Sequence, residues 1–260
     1  MRSTRHVAGG GAVLAFALAA LASAGRPATA AAPAKTIDPA ADRMVKQMTD
    51  YLAGLQAFTL RTSVADEVSL KSGEKIAIMS NADIAVQRPN RLRSLQRGSA
   101  AGLGIWYDGQ HMTVACKSSD GFQTVAAPPA LDAAIDGMRK QFDIDAPGAD
   151  LLYSRPYDIL MEQVVSGRYI GRETIDGIPA NHVAFRGDQI DWQMWIKDGP
   201  QPLPLRYVIT TKDAPGHPAF SVQMSDWNTQ PSLPPETFSF QPPATAKAAK
   251  SVAATCAAAM

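Results

Sequence analysis

The sequence predicts a mostly β chain folded as an open, curled antiparallel half-barrel of about eleven strands, wrapped around an N-terminal helix and a central helical lid. Three observations predict it. Apolar residues recur with period two along two long neighbouring segments that read as a hairpin. Four Asp-Gly pairs, Asp108-Gly109, Asp120-Gly121, Asp176-Gly177 and Asp198-Gly199, fall at or between short strand-like segments, where tight turns need positive backbone angles. A block with helical spacing interrupts the strands between residues 128 and 165.

In chain order, residues 1–30 come first and read as a secretory signal: Arg2 and Arg5, then an apolar run from Ala12 to Leu21, then small residues. That run, about ten residues long, is too short for a bilayer core that needs roughly twenty, so no transmembrane segment is expected in the mature protein. Cleavage after Ala24 (Ala22-Ser23-Ala24) and after Ala30 (Ala28-Thr29-Ala30) both satisfy the small-x-small rule, and the second is preferred. No cysteine follows either site, so the expected product is free in the periplasm. Residues 31–243 are read as one domain and 244–260, rich in Ala and Lys, as a disordered tail.

Asp38-Pro39 supplies an N-cap and a first-turn proline, and Met44, Met48, Tyr51, Leu52 and Leu55 follow at helical spacing, predicting a helix over 39–55. Phe58, Leu60, Val64, Val68 and Leu70 then alternate with Thr59, Arg61, Ser63, Glu67 and Ser69, broken by Asp66 on the apolar side. After the turn at Lys71-Ser72-Gly73-Glu74, Ile76, Ile78, Ala82, Ile84 and Val86 share one face of the return strand. Further strands are expected near 91–97, 103–107, 111–116, 121–126, 168–175, 179–186, 190–197, 204–212 and 219–228. Within the interruption, Leu131, Ile135, Met138 and Phe142 step by helical intervals, and a shorter helix follows Pro156. Their apolar stripe must be buried on the sheet, and the concave side is where it fits.

Composition narrows the function. The 25 basic and 24 acidic residues give a net charge of +1, and loss of the signal with its three arginines leaves 22 against 24, or −2. Nothing here favours nucleic acid as a partner. Cys116 and Cys256 are the chain's cysteines. Either they pair, or one is a buried small hydrophobe and the other a tail thiol, the reading preferred here.

Catalytic and metal signatures are missing. The histidines are His6, His111, His182 and His217, and neither His-Glu-x-x-His, Cys-x-x-Cys nor Gly-x-Ser-x-Gly occurs. No metal, cofactor or catalytic residue is expected, and His111 and His182 are read as structural. Asp143, Asp145 and Asp150 lack the glycine and glutamate of a calcium loop.

Two features admit a sharper reading. Arg91, Arg93 and Arg97, following Arg88, share one face of a strand. This is a solvated outer face or, alternatively, an anion contact made by Arg91 and Arg93. Trp192 and Trp195, three apart, face opposite sides of one strand. Trp192 shares its face with Met194 and Ile196 and is the one expected inside.

Arg88-Pro89-Asn90-Arg91-Leu92-Arg93, followed by Trp106-Tyr107-Asp108-Gly109, resembles a passage of the bacterial lipoprotein-localisation carriers LolA and LolB. Phe238-Ser239-Phe240-Gln241-Pro242-Pro243 resembles the close of that superfamily's last strand. The likeness is closer still to a bacterial family of predicted periplasmic proteins, a domain of unknown function placed beside LolA. It is carried by Ala149-Asp150-Leu151-Leu152-Tyr153, Ser166-Gly167-Arg168-Tyr169, Asp191-Trp192-Gln193-Met194-Trp195-Ile196 and Ser225-Asp226-Trp227, across roughly residues 40–243.

The resemblance implies an unclosed barrel with helices roofing a hydrophobic cavity. It also implies that a carrier without an N-terminal lipid-attachment Cys is of the soluble kind. The expected function is a non-enzymatic periplasmic carrier for a lipid, acyl chain or hydrophobic peptide. Leu131, Ile135, Met138, Phe142, Trp192 and Met194 are its expected cavity lining. The alternative is an envelope-associated structural or sensory protein that docks on another protein and carries no ligand.

Overall fold

In a computed structural model, whose described residues are 35–97, 102–142, 144, 146–249 and 251–252, the alternating segments pair into one sheet. The expected signal lies outside these residues. Asp38 caps helix α1 (Pro39–Gly54), its Oδ1 accepting the amide of Ala40 at 2.8 Å. The long hairpin is β2 (Ala57–Ser69) and β3 (Lys75–Gln87), paired over its full length. Next come β4 (Arg91–Arg97), β5 (Leu103–Tyr107), β6 (His111–Cys116) and β7 (Gly121–Ala126). The interrupting segment forms α2 (Leu131–Phe142), a short helical turn at Ala149–Leu152 and α3 (Pro156–Met161). Strands resume with β8 (Val164–Ile175), β9 (Ile178–Gly187), β10 (Ile190–Lys197), β11 (Pro204–Thr211) and β12 (Ala219–Asn228). At the β8–β9 turn Asp176 and Gly177 both have positive φ, 48° and 79°, the geometry of a two-residue hairpin loop that their sequence signals.

Thirteen strands, not about eleven, make up the sheet among the described residues. The two added ones are two-residue edges, β1 (Thr36–Ile37) parallel to β8 and β13 (Lys247–Ala248) parallel to β7. Two-residue strands are too short to carry a periodic pattern, so alternation cannot announce them. The order is β1-β8-β9-β10-β11-β12-β2-β3-β4-β5-β6-β7-β13. The sheet is thus two antiparallel meanders joined where the last long strand, β12, pairs with the first, β2. Strands β7 and β8 consequently lie toward opposite ends of the sheet, and the intervening chain must cross from one to the other. That crossing is the helical lid.

Of the segment from residue 244 onward, read from the sequence as disordered, the described residues are 244–249 and 251–252, and these lie against the sheet. Phe238 is buried, and Phe240 packs on Trp106 and Phe122 with ring centroids 4.8 and 5.1 Å apart. The amides of Lys247 and Ala249 donate to the carbonyls of Asp120 and Phe122 at 2.8 and 2.7 Å, and Val252 is fully buried in the core. The exposed edge of β7 offers unpaired backbone groups, and a low-complexity chain satisfies them by backbone bonding, which needs no side-chain pattern. Cys116 is likewise not the lone buried thiol preferred above: it is disulfide-bonded. Cys256 lies outside the described residues.

Candidate functional site

The apolar stripe of α1, Ala41, Val45, Met48 and Leu52, is buried, and the helix packs against β8, β9 and β10. This fills one half of the concave face. Over the other half, between β12, β2, β3, β4, β5 and the lid, lies a cavity of 540 Å³, within the range of small-ligand sites. Phe58, Leu60, Ile84, Ile105, Val222 and Met224 are among its sheet-side walls, and Ile135, Met138, Leu151 and Leu152 among its roof.

Polar anchors hold the roof. The guanidinium of Arg88, at the end of β3, donates to the carbonyl oxygens of Leu152 and Tyr153 at 2.9 and 3.3 Å. Burial lowers its pKa, opposed by the charge of Asp132. Tyr153 Oη donates to Asp136 Oδ1 at 2.6 Å, and Arg139 donates to that Oη and to Asp150 Oδ1 at 3.3 and 3.1 Å. Ser154 bonds Asp132 through its amide and its hydroxyl. Burial, then the Asp136 bond, raises the pKa of Tyr153. Tyr157 donates to Asp42 on α1 at 2.5 Å, and that bond, then burial, pushes its phenol up to about 12. The roof is therefore tied to the sheet and to α1 by its rim, leaving its apolar face for the hollow. Replacing Arg88 by methionine should cost about 1.5–3 kcal/mol for the lost charge-assisted bonds. Denaturant titration checks that value, and faster amide exchange at 149–155 would place the loss at the roof.

Of the residues the sequence nominates, Ile135 and Met138 line this cavity. Leu131, Phe142, Trp192 and Met194 are buried in the core but are not among its lining residues. Trp192 faces inward, stacked on Phe185 with centroids 4.2 Å apart and edge-on to Tyr207 at 5.9 Å. Met194 neighbours it on the same face of β10, in the half of the sheet that α1 fills. Leu131 sits at the first turn of α2, its amide donating to Pro89 O. Phe142 ends the same helix.

Arg91 and Arg93 are on the opposite face of β4 from the lining residues Leu92, Ser94 and Gln96. Arg91 donates to Gln87 Oε1 at 3.4 Å and lies 5.9 Å from the ring centroid of Phe238; Arg93 stands opposite Trp106 on β5. Arg97 pairs with Asp83. His182 is held on the outer face, its Nδ1 2.8 Å from Glu173 Oε1 and its Nε2 3.1 Å from Gln193 Oε1, beneath the Trp195 ring at 4.0 Å. The bonds from Trp195 and His182 lower the pKa of Glu173. Among the described residues no group of three His, Cys, Asp or Glu is placed to hold a metal.

Sequence reasoning left polar residues out of the lining. Thr62, Asp66, Ser80, Ser94 and Gln96 stand on the cavity wall. One of them was visible beforehand: Asp66 breaks an otherwise apolar face, and a break on an inward face marks a polar group turned toward the interior.

A family model described as "Predicted periplasmic protein (DUF2092)" matches residues 41–250. No curated protein matches. Among solved structures the fold is similar to that of the Mycobacterium tuberculosis lipoprotein LppX, at 15% identity and a TM-score of 0.48, covering 76% of this chain and 100% of that one. A LolA superfamily protein from Nitrosomonas europaea is similar at 10% identity and a TM-score of 0.42, covering 77% and 97%. MucB, in the Pseudomonas aeruginosa MucA/MucB complex, is similar at 14% identity and a TM-score of 0.40, covering 78% and 61%.

Proposed function

The chain belongs to the DUF2092 family of predicted periplasmic proteins, and from that premise we propose that it is a non-enzymatic carrier for a molecule with a long apolar chain. The observation that supports this is the 540 Å³ apolar hollow between sheet and roof. Each buried methylene of a guest contributes about 0.8 kcal/mol, so a fourteen-carbon chain supplies on the order of 10 kcal/mol before the costs of association. Few polar contacts are then needed for affinity. Among the described residues no helix is long and apolar enough to cross a membrane.

Delipidated protein should take up one equivalent of a fluorescent acyl probe saturably, and native mass spectrometry of protein from the periplasm should show an amphiphile bound. Absence of both would remove the carrier reading. One observation favours the alternative, a protein that docks on an envelope partner. The far end of the β2–β3 hairpin exposes Val68, Leu70, Ile76, Ile78 and Met79, the last at 59%, as surfaces that meet partners do. Co-purification of one protein at fixed ratio without lipid would select that reading.

A further inference from the structure

The polar residues on the cavity wall are not scattered. On the concave face Thr62 of β2 and Gln96 of β4 stand directly opposite Ala82 of β3, one on either side. Ser80 is two residues along β3 on the same face, and Ser94 stands opposite Ile84, one step diagonally away. Three hydroxyls and one carboxamide thus surround a single methyl group on a floor that otherwise carries Asp66 and the apolar Leu60, Val64, Ile84, Leu92 and Ile105. Directly opposed side chains on a sheet lie about 5 Å apart and diagonal ones about 7–8 Å, so one small polar group resting on Ala82 is within reach of several of them.

Two of the four already have protein partners. Thr62 Oγ1 points at the carbonyl of Ala82 at 3.5 Å, and Gln96 Oε1 accepts the amide of Leu103 at 3.3 Å. The hydroxyls of Ser80 and Ser94 make no protein hydrogen bond among the described residues, and neither is sealed from solvent. Both residues are half-buried and line the hollow. A hydroxyl facing an apolar cavity without a partner is a cost to the folded state unless water or a guest satisfies it.

Charge narrows the guest. The described lining residues include no Lys, Arg or His, and their ionisable group, Asp66, is an acid. An ionised carboxylate or phosphate drawn onto this floor would lose its hydration with no cation among the described lining residues to meet it. A neutral acceptor loses far less and gains the serine hydroxyls as donors.

We propose that the guest carries an uncharged ester or amide group along its apolar chain, seated over Ala82 and accepting hydrogen bonds from Ser80 and Ser94. The assignment rests on the carrier reading and specifies its ligand class: neutral acyl esters or amides over free fatty acids and bare hydrocarbons.

The test is displacement of Nile red from the full chain at neutral pH by hexadecane, methyl palmitate and palmitate. Methyl palmitate should displace about tenfold more tightly than hexadecane, the sum of two modest neutral hydrogen bonds, and more tightly than palmitate. In the Ser80→Ala, Ser94→Ala double variant, with its fold checked by circular dichroism, the advantage of the ester over hexadecane should vanish. Palmitate matching the ester, or an ester advantage that survives the double variant, overturns the assignment. Equal binding of all three also overturns it but leaves the carrier reading standing. Failure of every competitor to displace the dye overturns both.

Discussion

Replacing Ala82 by tryptophan is expected to weaken acyl uptake on the order of a hundredfold while leaving the fold intact. Ala82 is half-buried, points into the hollow, and is flanked by Thr62 and Gln96 on the neighbouring strands. An indole there grows into a 540 Å³ space and avoids the overpacking that a closed core would suffer. It displaces roughly four methylenes of a guest, about 3 kcal/mol at the usual gain per methylene, or on the order of a hundredfold in Kd. Because the added ring is itself apolar and shielded, the thermal midpoint should stay level or rise. Fluorescent-probe titration and a melting curve on the same sample check both halves. Unchanged affinity in a folded A82W protein would mean that guests do not rest on this floor.

How much of that site could be read beforehand follows from what periodicity encodes. Alternation along β2 and β3 assigns Phe58, Leu60, Ile84 and Ala82 to one face, and the Asp-Gly pairs locate turns such as Asp176-Gly177, so the strand order of each meander is legible. Helical spacing gives α1 and the lid, including Ile135 and Met138. What alternation cannot give is which stretch of the inward face is covered and which is hollow. Trp192 and Ile84 both read as inward, yet α1 covers the first region and leaves the second open. That choice is made by the pairing of β12 with β2, a contact between segments far apart in sequence. The edge strands β1 and β13 are not legible in the sequence for a related reason: backbone bonds hold them, and backbone bonds leave no trace in side-chain pattern.

The same division of the concave face assigns Trp192 a role opposite to that of Ala82. Trp192 is 2% exposed, sandwiched by contact with Phe185 and Tyr207 and facing into the half of the sheet on which α1 packs. Its removal leaves a void that neighbours on three paired strands cannot close, because β9, β10 and β11 are locked in register. Trp192→Ala should therefore cost about 3–5 kcal/mol, and for a domain of this size lower the melting temperature by roughly 10 °C or more. The protein that remains folded should still bind an acyl probe within about threefold of the parent affinity, since a contact more than one side chain removed from a guest couples to it weakly. Urea titration gives the first value, and probe titration well below the transition gives the second. If W192A instead keeps its stability and loses its guest, the hollow extends under α1, and the boundary drawn between packed and open halves of the sheet is misplaced.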